Sequence, residues 1–269
     1  MSGLMKGSGR GLILLMAAMS IALSGCGGSS ATPSGDTGST DTGTTGGGAG
    51  SSADTSGGGV LNGAATALGK INSYQFKMTL AGTSFSSTLG ALGGDTATGS
   101  AAMDVSGTII LKPAQAADVT VMGMHIIEIG GYSYLDLGTG QFIKTPSTGK
   151  SMADAFSPST MFSSSMSTAT DSGYNKVGSE SKNGVQTDHY QASAATLAML
   201  GTALSSELGG ATVTWSSDVW IATPGGYPVS YAVVAKTSDG TVVYEVSFDL
   251  SNINDSSNKV TAPTNVMGS

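Results

Sequence analysis

The chain has 269 residues, a formal net charge of −7 and a single cysteine. Its only arginine lies in the N-terminal segment, and the chain without that segment has nine lysines and eighteen acidic residues. A nucleic-acid-binding surface needs clustered basic side chains, and Arg is the residue that reads guanine through two hydrogen bonds. The composition therefore argues against nucleic acid as a partner, and a single cysteine excludes an intramolecular disulfide.

The N-terminal segment has the pattern of a bacterial lipoprotein signal. Lys6 and Arg10 give it a positive start, residues 12–23 are an apolar stretch too short to span a membrane, and Leu23-Ser24-Gly25-Cys26 ends it. We therefore expect residues 1–25 to be cleaved and the Cys26 thiol to carry a diacylglyceryl group. Two acyl chains hold a protein stably at a membrane, which predicts a location in the cell envelope, on the outer face of the cytoplasmic membrane or on a further envelope membrane. The alternative is an ordinary signal peptide with an incidental cysteine.

Residues 26–59 are predicted to be the lipidated cysteine and a flexible linker. After Cys26 this stretch consists almost wholly of Gly, Ser, Thr and Ala, so it cannot bury enough apolar surface to become ordered. A Gly-rich coil of this length has a root-mean-square span of roughly 30 Å. Residues 60–269 hold nearly all the aromatic side chains and are predicted to form one domain.

The domain is predicted to begin with a short helix and to continue with strands. Apolar residues recur at helical spacing over 60–68, and they alternate with polar residues over 74–79. Residues 82–99 are rich in Gly, Ser and Thr and are predicted to form a loop. Further strands are predicted around Met103–Leu111, Val119–Ile129, Ser133–Leu137 and Gln141–Lys144.

Two helices are predicted to interrupt the strands. Ser157 before Pro158 is a helix start, and a second helix begins near Ser193 and ends at Gly209-Gly210. In the C-terminal third, turns at Pro224-Gly225-Gly226 and Asp239-Gly240 separate strands that have one apolar face. The pattern predicts an antiparallel meander whose apolar face is covered by helices, and therefore an α+β fold.

Three short motifs carry a resemblance to a known family. They are residues 183–190 (NGVQTDHY), Asp218-Val219-Trp220-Ile221 followed by Gly226-Tyr227-Pro228-Val229, and Val260-Thr261-Ala262-Pro263. In this order, and after a lipoprotein signal, they resemble the LppX/LprG-type lipoproteins of mycobacteria, which are similar in turn to the LolA/LolB lipoprotein carriers. The resemblance implies a curved antiparallel half-barrel sheet wrapped over a few helices, with a cavity between sheet and helices that holds acyl chains.

Residues that could carry catalysis are sparse. The only histidines are His125 and His189, and the nearby acidic residues Glu128 and Asp188 are expected on the opposite face of the respective strand. The sequence contains neither a cluster of metal-ligating residues nor a Gly-x-Ser-x-Gly elbow. We therefore predict a protein without enzymatic activity, metal or cofactor, in which both histidines are structural.

The predicted function is a membrane-anchored lipoprotein that binds or carries a lipid or another hydrophobic ligand; the sequence names no transporter partner. Methionine suits a surface that accepts varied apolar shapes, and Trp220 is included because it would make its strand apolar on both sides. The alternative is a sensor or scaffold lipoprotein with a solid core and no ligand. The residues predicted to line the cavity are Met122, Met124, Ile126, Met161, Phe162, Met166, Trp220, Tyr231, Tyr244 and Val246.

Overall fold

The computed structural model describes residues 63–64, 66–85, 101–166, 173–204, 208 and 211–267. The predicted signal, Cys26 and the linker lie outside these residues, as does most of the predicted loop over 82–99. Eleven antiparallel strands form one sheet. The strands are β1 (Ser73–Gly82), β2 (Ala101–Ile110), β3 (Ala116–Val121), β4 (Met124–Ile129), β5 (Tyr132–Asp136), β6 (Ile143–Pro146), β7 (Tyr174–Lys182), β8 (Val185–Ala192), β9 (Thr214–Ala222), β10 (Pro228–Lys236) and β11 (Val242–Ser251).

The sheet consists of two meanders that meet in its middle. From one edge to the other the order is β6-β5-β4-β3-β2-β1-β11-β10-β9-β8-β7, so the first and last strands of the domain pair with each other. The two edges do not pair, and the sheet is therefore open. This architecture is a curved half-barrel of the α+β class, which confirms the predicted fold class.

Three helices with complete boundaries connect these strands in the described part of the chain: α1 (Met152–Ala155) and α2 (Pro158–Met166) between β6 and β7, and α3 (Ala194–Ala203) between β8 and β9. Residues 63–64 and 66–68 are also helical. The Ser157 and Ser193 hydroxyls each accept a hydrogen bond from a backbone N–H three residues on, which confirms both predicted helix starts. In the described ranges no helix is long and apolar enough to cross a bilayer.

Two predicted elements need correction, and one helix was missed. The strand predicted over Val119–Ile129 is a hairpin, because Met122 and Gly123 adopt positive φ angles of 49° and 77° and reverse the chain. Apolar residues continue through this turn, so the alternation in sequence did not reveal it. The helix after Ser193 ends at Ala203, before Gly209. Helix α1 was missed because its four residues are too few to show a period.

The inner face of the sheet packs against α1 and α2 through aromatic rings. Phe76 on β1 stacks on Phe156, which follows α1, with ring centroids 4.9 Å apart. Phe162 on α2 meets Phe248 edge-on at 5.4 Å and Tyr231 at 6.4 Å. Such pairs add about 0.5–1.5 kcal/mol each to the area that they bury. These contacts hold α1 and α2 firmly to the centre of the sheet.

A smaller apolar cluster lies on the outer face. Ile127, Tyr134 and Phe142 are buried there beneath the C-terminal segment, and Phe142 forms a parallel bridge with Val266. Both sheet edges are protected against further strand pairing: β6 has only four residues and ends in Pro146, and β7 contains a bulge and two lysines.

A candidate ligand surface at the apolar end of the inner face

Strand pairing arranges the inner face in rows, because paired residues point to the same side. One row contains Tyr231, Phe248 and Met78, which are buried near α2. The next row toward the start of β11 contains Val246. The row at the end contains Trp215, Ala235 and Tyr244. Two side chains toward this end, Val246 and Trp215, are only half-buried, whereas Ala235 and Tyr244 are buried.

The end row and its neighbours form an apolar surface that we call the aromatic rim: Phe85, Trp215, Tyr244 and Val246. The ring centroids of Phe85 and Tyr244 are 5.1 Å apart, and those of Trp215 and Tyr244 are 5.7 Å apart. Phe85 belongs to a 3₁₀ turn that follows β1, so the rim joins the middle of the sheet to β9. The rim can therefore contact a flexible apolar chain over several side chains.

Helix α3 packs against the rim. A side chain at Gly201 would lie 3.1 Å from the indole nitrogen of Trp215, so the missing side chain lets the helix approach the ring. Leu197, Leu200 and Leu204 are half-buried against the core, yet no residue of α3 is buried. By contrast, α1 and α2 both contain buried side chains. Helix α3 is thus the less firmly packed cover of the inner face.

An uncharged polar pair lies beside the rim. The Tyr174 hydroxyl lies 2.7 Å from the Ser217 hydroxyl, and both side chains are buried. Ser217 belongs to the same row as Val246. Burial raises the pKa of Tyr174 further above neutral, and its hydroxyl and that of Ser217 can each act as the donor.

The structure separates the predicted lining residues into groups. Tyr244, which is buried, and Val246, which is half-buried, belong to the aromatic rim. Met124 is half-buried on the inner face in the row of Phe248, and Met122 lies in the β3–β4 turn. The Met166 side chain lies outside the described residues. The remaining inner-face members are buried in packed core: Ile126, Met161, Phe162 and Tyr231.

Trp220 lies on the outer face, opposite to the predicted lining residues on the inner face. His189 stacks on its indole with centroids 4.4 Å apart, and Lys182 Nζ lies 4.6 Å from the ring. Its Nε1 donates a hydrogen bond of 2.6 Å to Glu180. The outer face of β9 also carries Ser216 and Asp218, so Trp220 does not make the strand apolar on both sides; side chains of the β7–β8 hairpin contact this tryptophan.

Sequence reasoning also missed the partners of both histidines. His189 Nε2 lies 2.8 Å from Asp218 and its Nδ1 lies 3.3 Å from Glu180, while His125 Nε2 lies 2.7 Å from Asp118. These carboxylates are on neighbouring strands, so only the register could have revealed them. Within the described ranges, no group of three or more His, Cys, Asp or Glu side chains is arranged to hold a metal ion.

A separate cleft opens at the far end of β3–β5. Its volume is about 180 Å³, below the ~300–1,000 Å³ of drug-sized ligand sites. Glu128 lines it and accepts a hydrogen bond of 2.6 Å from the backbone N–H of Met152. The lining mixes apolar residues such as Ala117, Ile129 and Tyr132 with glycines and serines, and none of the ten predicted residues lines it.

The chain matches no protein-family model, and no curated protein matches it significantly. Solved structures do match. Lipoprotein LppX from Mycobacterium tuberculosis is 15% identical, with 78% of this chain and 100% of LppX covered and a TM-score of 0.41. LprF from Mycobacterium bovis is 14% identical, with 77% and 95% covered and a TM-score of 0.43. A LolA-superfamily protein from Nitrosomonas europaea is 10% identical, with 78% and 96% covered and a TM-score of 0.23. These proteins are of the kind that the sequence motifs resemble. At these identities and TM-scores, however, the matches do not assign the chain to a family.

Proposed function

We propose that this chain is a non-enzymatic envelope lipoprotein, anchored through Cys26, that binds a lipid or another hydrophobic ligand between the aromatic rim and helix α3. One observation carries the proposal. The inner face of the half-barrel is firmly packed in its centre, whereas three of the four rim residues, Phe85, Trp215 and Val246, are only half-buried near a helix without a buried residue. A small displacement of α3 would expose apolar area on both sides, and an acyl chain would cover that area again.

The chemistry of the rim favours acyl chains over charged head groups. Its side chains are aromatic or aliphatic, and the adjacent polar pair, Tyr174 and Ser217, is neutral. A phosphate head group is usually held by Arg or Lys, and the mature chain contains no Arg. We therefore expect selectivity for the length of the acyl chain, with little dependence on the head group.

A second function has support from the centre of the sheet. The aromatic contacts of Phe76, Phe156, Phe162 and Phe248 resemble those of a solid core. If that packing continued to the rim, the protein would be a scaffold or sensor lipoprotein without a ligand. Leu200 distinguishes the two functions, since it lies on the side of α3 that faces the core and is only half-buried.

The test compares Leu200→Gln with Val177→Gln, a control at an exposed position on the edge strand β7. Binding of a fluorescent fatty acid should weaken roughly tenfold for Leu200→Gln, because an amide replaces an apolar contact. The melting temperature should stay within a few degrees, and the control should bind normally. Unchanged binding would show that the ligand does not bind at α3. Unfolding of Leu200→Gln would show that Leu200 belongs to the core and would favour the scaffold or sensor function.

A further inference from the structure

Helix α3 is apolar on both of its sides. Leu197, Leu200 and Leu204 face the core. A helix that lies between a core and water normally presents polar residues to the water, whereas all but one of the exposed residues of α3 are apolar. The exposed residues are Ala194, Ala195, Ala198, Met199, Thr202 and Ala203.

The exposed side of α3 also lacks charge and free polar groups. No residue of the helix is charged. The Thr202 hydroxyl donates a hydrogen bond of 2.9 Å to the backbone carbonyl of Ala198, so it is already satisfied within the helix. Met199 is 59% exposed, the highest value among the exposed large apolar side chains of the described ranges. Transfer of this side into an apolar phase therefore breaks no obligatory hydrogen bond with water.

The chain that precedes the described domain indicates which apolar phase is near. Thirty-six residues separate Cys26 from Gly63. A flexible chain of that length spans roughly 30–35 Å, so a bilayer that holds the lipid on Cys26 stays within reach of the domain. Tethering also raises the effective concentration of a weak contact, to the order of millimolar for short flexible linkers. An uncharged helix avoids the repulsion that anionic lipids exert on the acidic remainder of the chain.

We propose that the exposed side of α3 docks on the bilayer to which Cys26 tethers the chain. Met199 then enters the interfacial region, and the aromatic rim lies directly beneath the docked helix. This inference rests on the proposed function, because it requires the lipid on Cys26. It adds the orientation of the domain and the route of the ligand, which would pass from the bilayer to the rim without crossing water.

The experiment uses the full lipidated chain in phosphatidylcholine vesicles that contain doxyl-labelled lipid. Lipidation consumes the native thiol, so Met199→Cys supplies the only free thiol for an environment-sensitive fluorophore. Val177→Cys is the matched control, because Val177 is 54% exposed and lies on the edge strand β7. We expect doxyl lipid to quench the label at position 199 strongly and the label at position 177 only to background. Met199→Asp, with the label on Ala195→Cys, should abolish the quenching.

Equal quenching at positions 199 and 177, or none at either, would overturn the proposal. The fluorescence of the label at position 199 could instead change with the amount of protein per vesicle and not with doxyl lipid. That result would also overturn the proposal, because it would show that a second copy of the chain covers α3. Quenching reports the position of α3 whether or not a ligand is bound. The absence of a bound lipid would therefore refute the proposed function while a docking signal still stood, so the two failures can be told apart.

Discussion

Replacing Phe162 by Ala tests whether α2 is packed core or the wall of a cavity. Phe162 is 1% exposed and meets the rings of Phe248 and Tyr231 edge-on. Removing a fully buried Phe typically costs 3–5 kcal/mol, which includes the cavity left behind. We therefore expect about 4 kcal/mol less stability for Phe162→Ala.

That loss can be measured by thermal unfolding. In a domain of about 200 residues, 1 kcal/mol shifts the melting temperature by roughly 2–4 °C, so Phe162→Ala should lower it by about 8–16 °C. Phe162→Leu keeps most of the volume and should lose about 1–1.5 kcal/mol. A drop below about 3 °C for Phe162→Ala, with more lipid bound, would show that Phe162 lines a cavity and would refute the packed centre of the inner face.

Three further predictions concern the anchor, the linker and the outer face. Cys26→Ser should leave protein that stays in the aqueous phase in detergent partitioning or remains uncleaved; a cleaved form that enters detergent would contradict the anchor. Residues 27–59 should exchange amide hydrogens without protection in mass-spectrometric exchange, and slow exchange in any part would exclude a flexible linker. Trp220→Ala should cost about 2–3 kcal/mol, less than a fully buried Trp, and speed exchange in β7 and β8 while lipid binding stays unchanged; weaker binding would place the outer face in the site.

The sequence predicted the fold class, which the open antiparallel sheet confirms. It also indicated a resemblance to LppX/LprG-type lipoproteins, and LppX and LprF are among the solved structures that match the chain. Local signals were sufficient to predict the helix starts, because the Ser157 and Ser193 hydroxyls accept hydrogen bonds from backbone N–H groups only three residues further along the chain. The hairpin at Asp239-Gly240 also follows from local residues, because Gly240 has the positive φ angle that the turn needs.

The candidate site depended on contacts that alternation cannot show. Trp220 has the same flanking pattern as a lining residue, yet its stacking partner His189 and its hydrogen-bond partner Glu180 come from two other strands. The rim residues Phe85 and Trp215 were not predicted, because only the register places Trp215 in one row with Tyr244. Apolar spacing also gave no means to separate Phe162, in the packed centre, from Leu200, which is half-buried.

Native mass spectrometry of the mature, unlipidated chain would test lipid binding most directly. The protein should be expressed in bacteria and purified without detergent. Any ligand that it releases on denaturation should then be identified. We expect a complex heavier than the chain by one acyl lipid, which Leu200→Gln loses and Val177→Gln keeps. A spectrum that shows only the mass of the chain, also after incubation with long-chain lipids, would contradict the account and favour a solid-core lipoprotein.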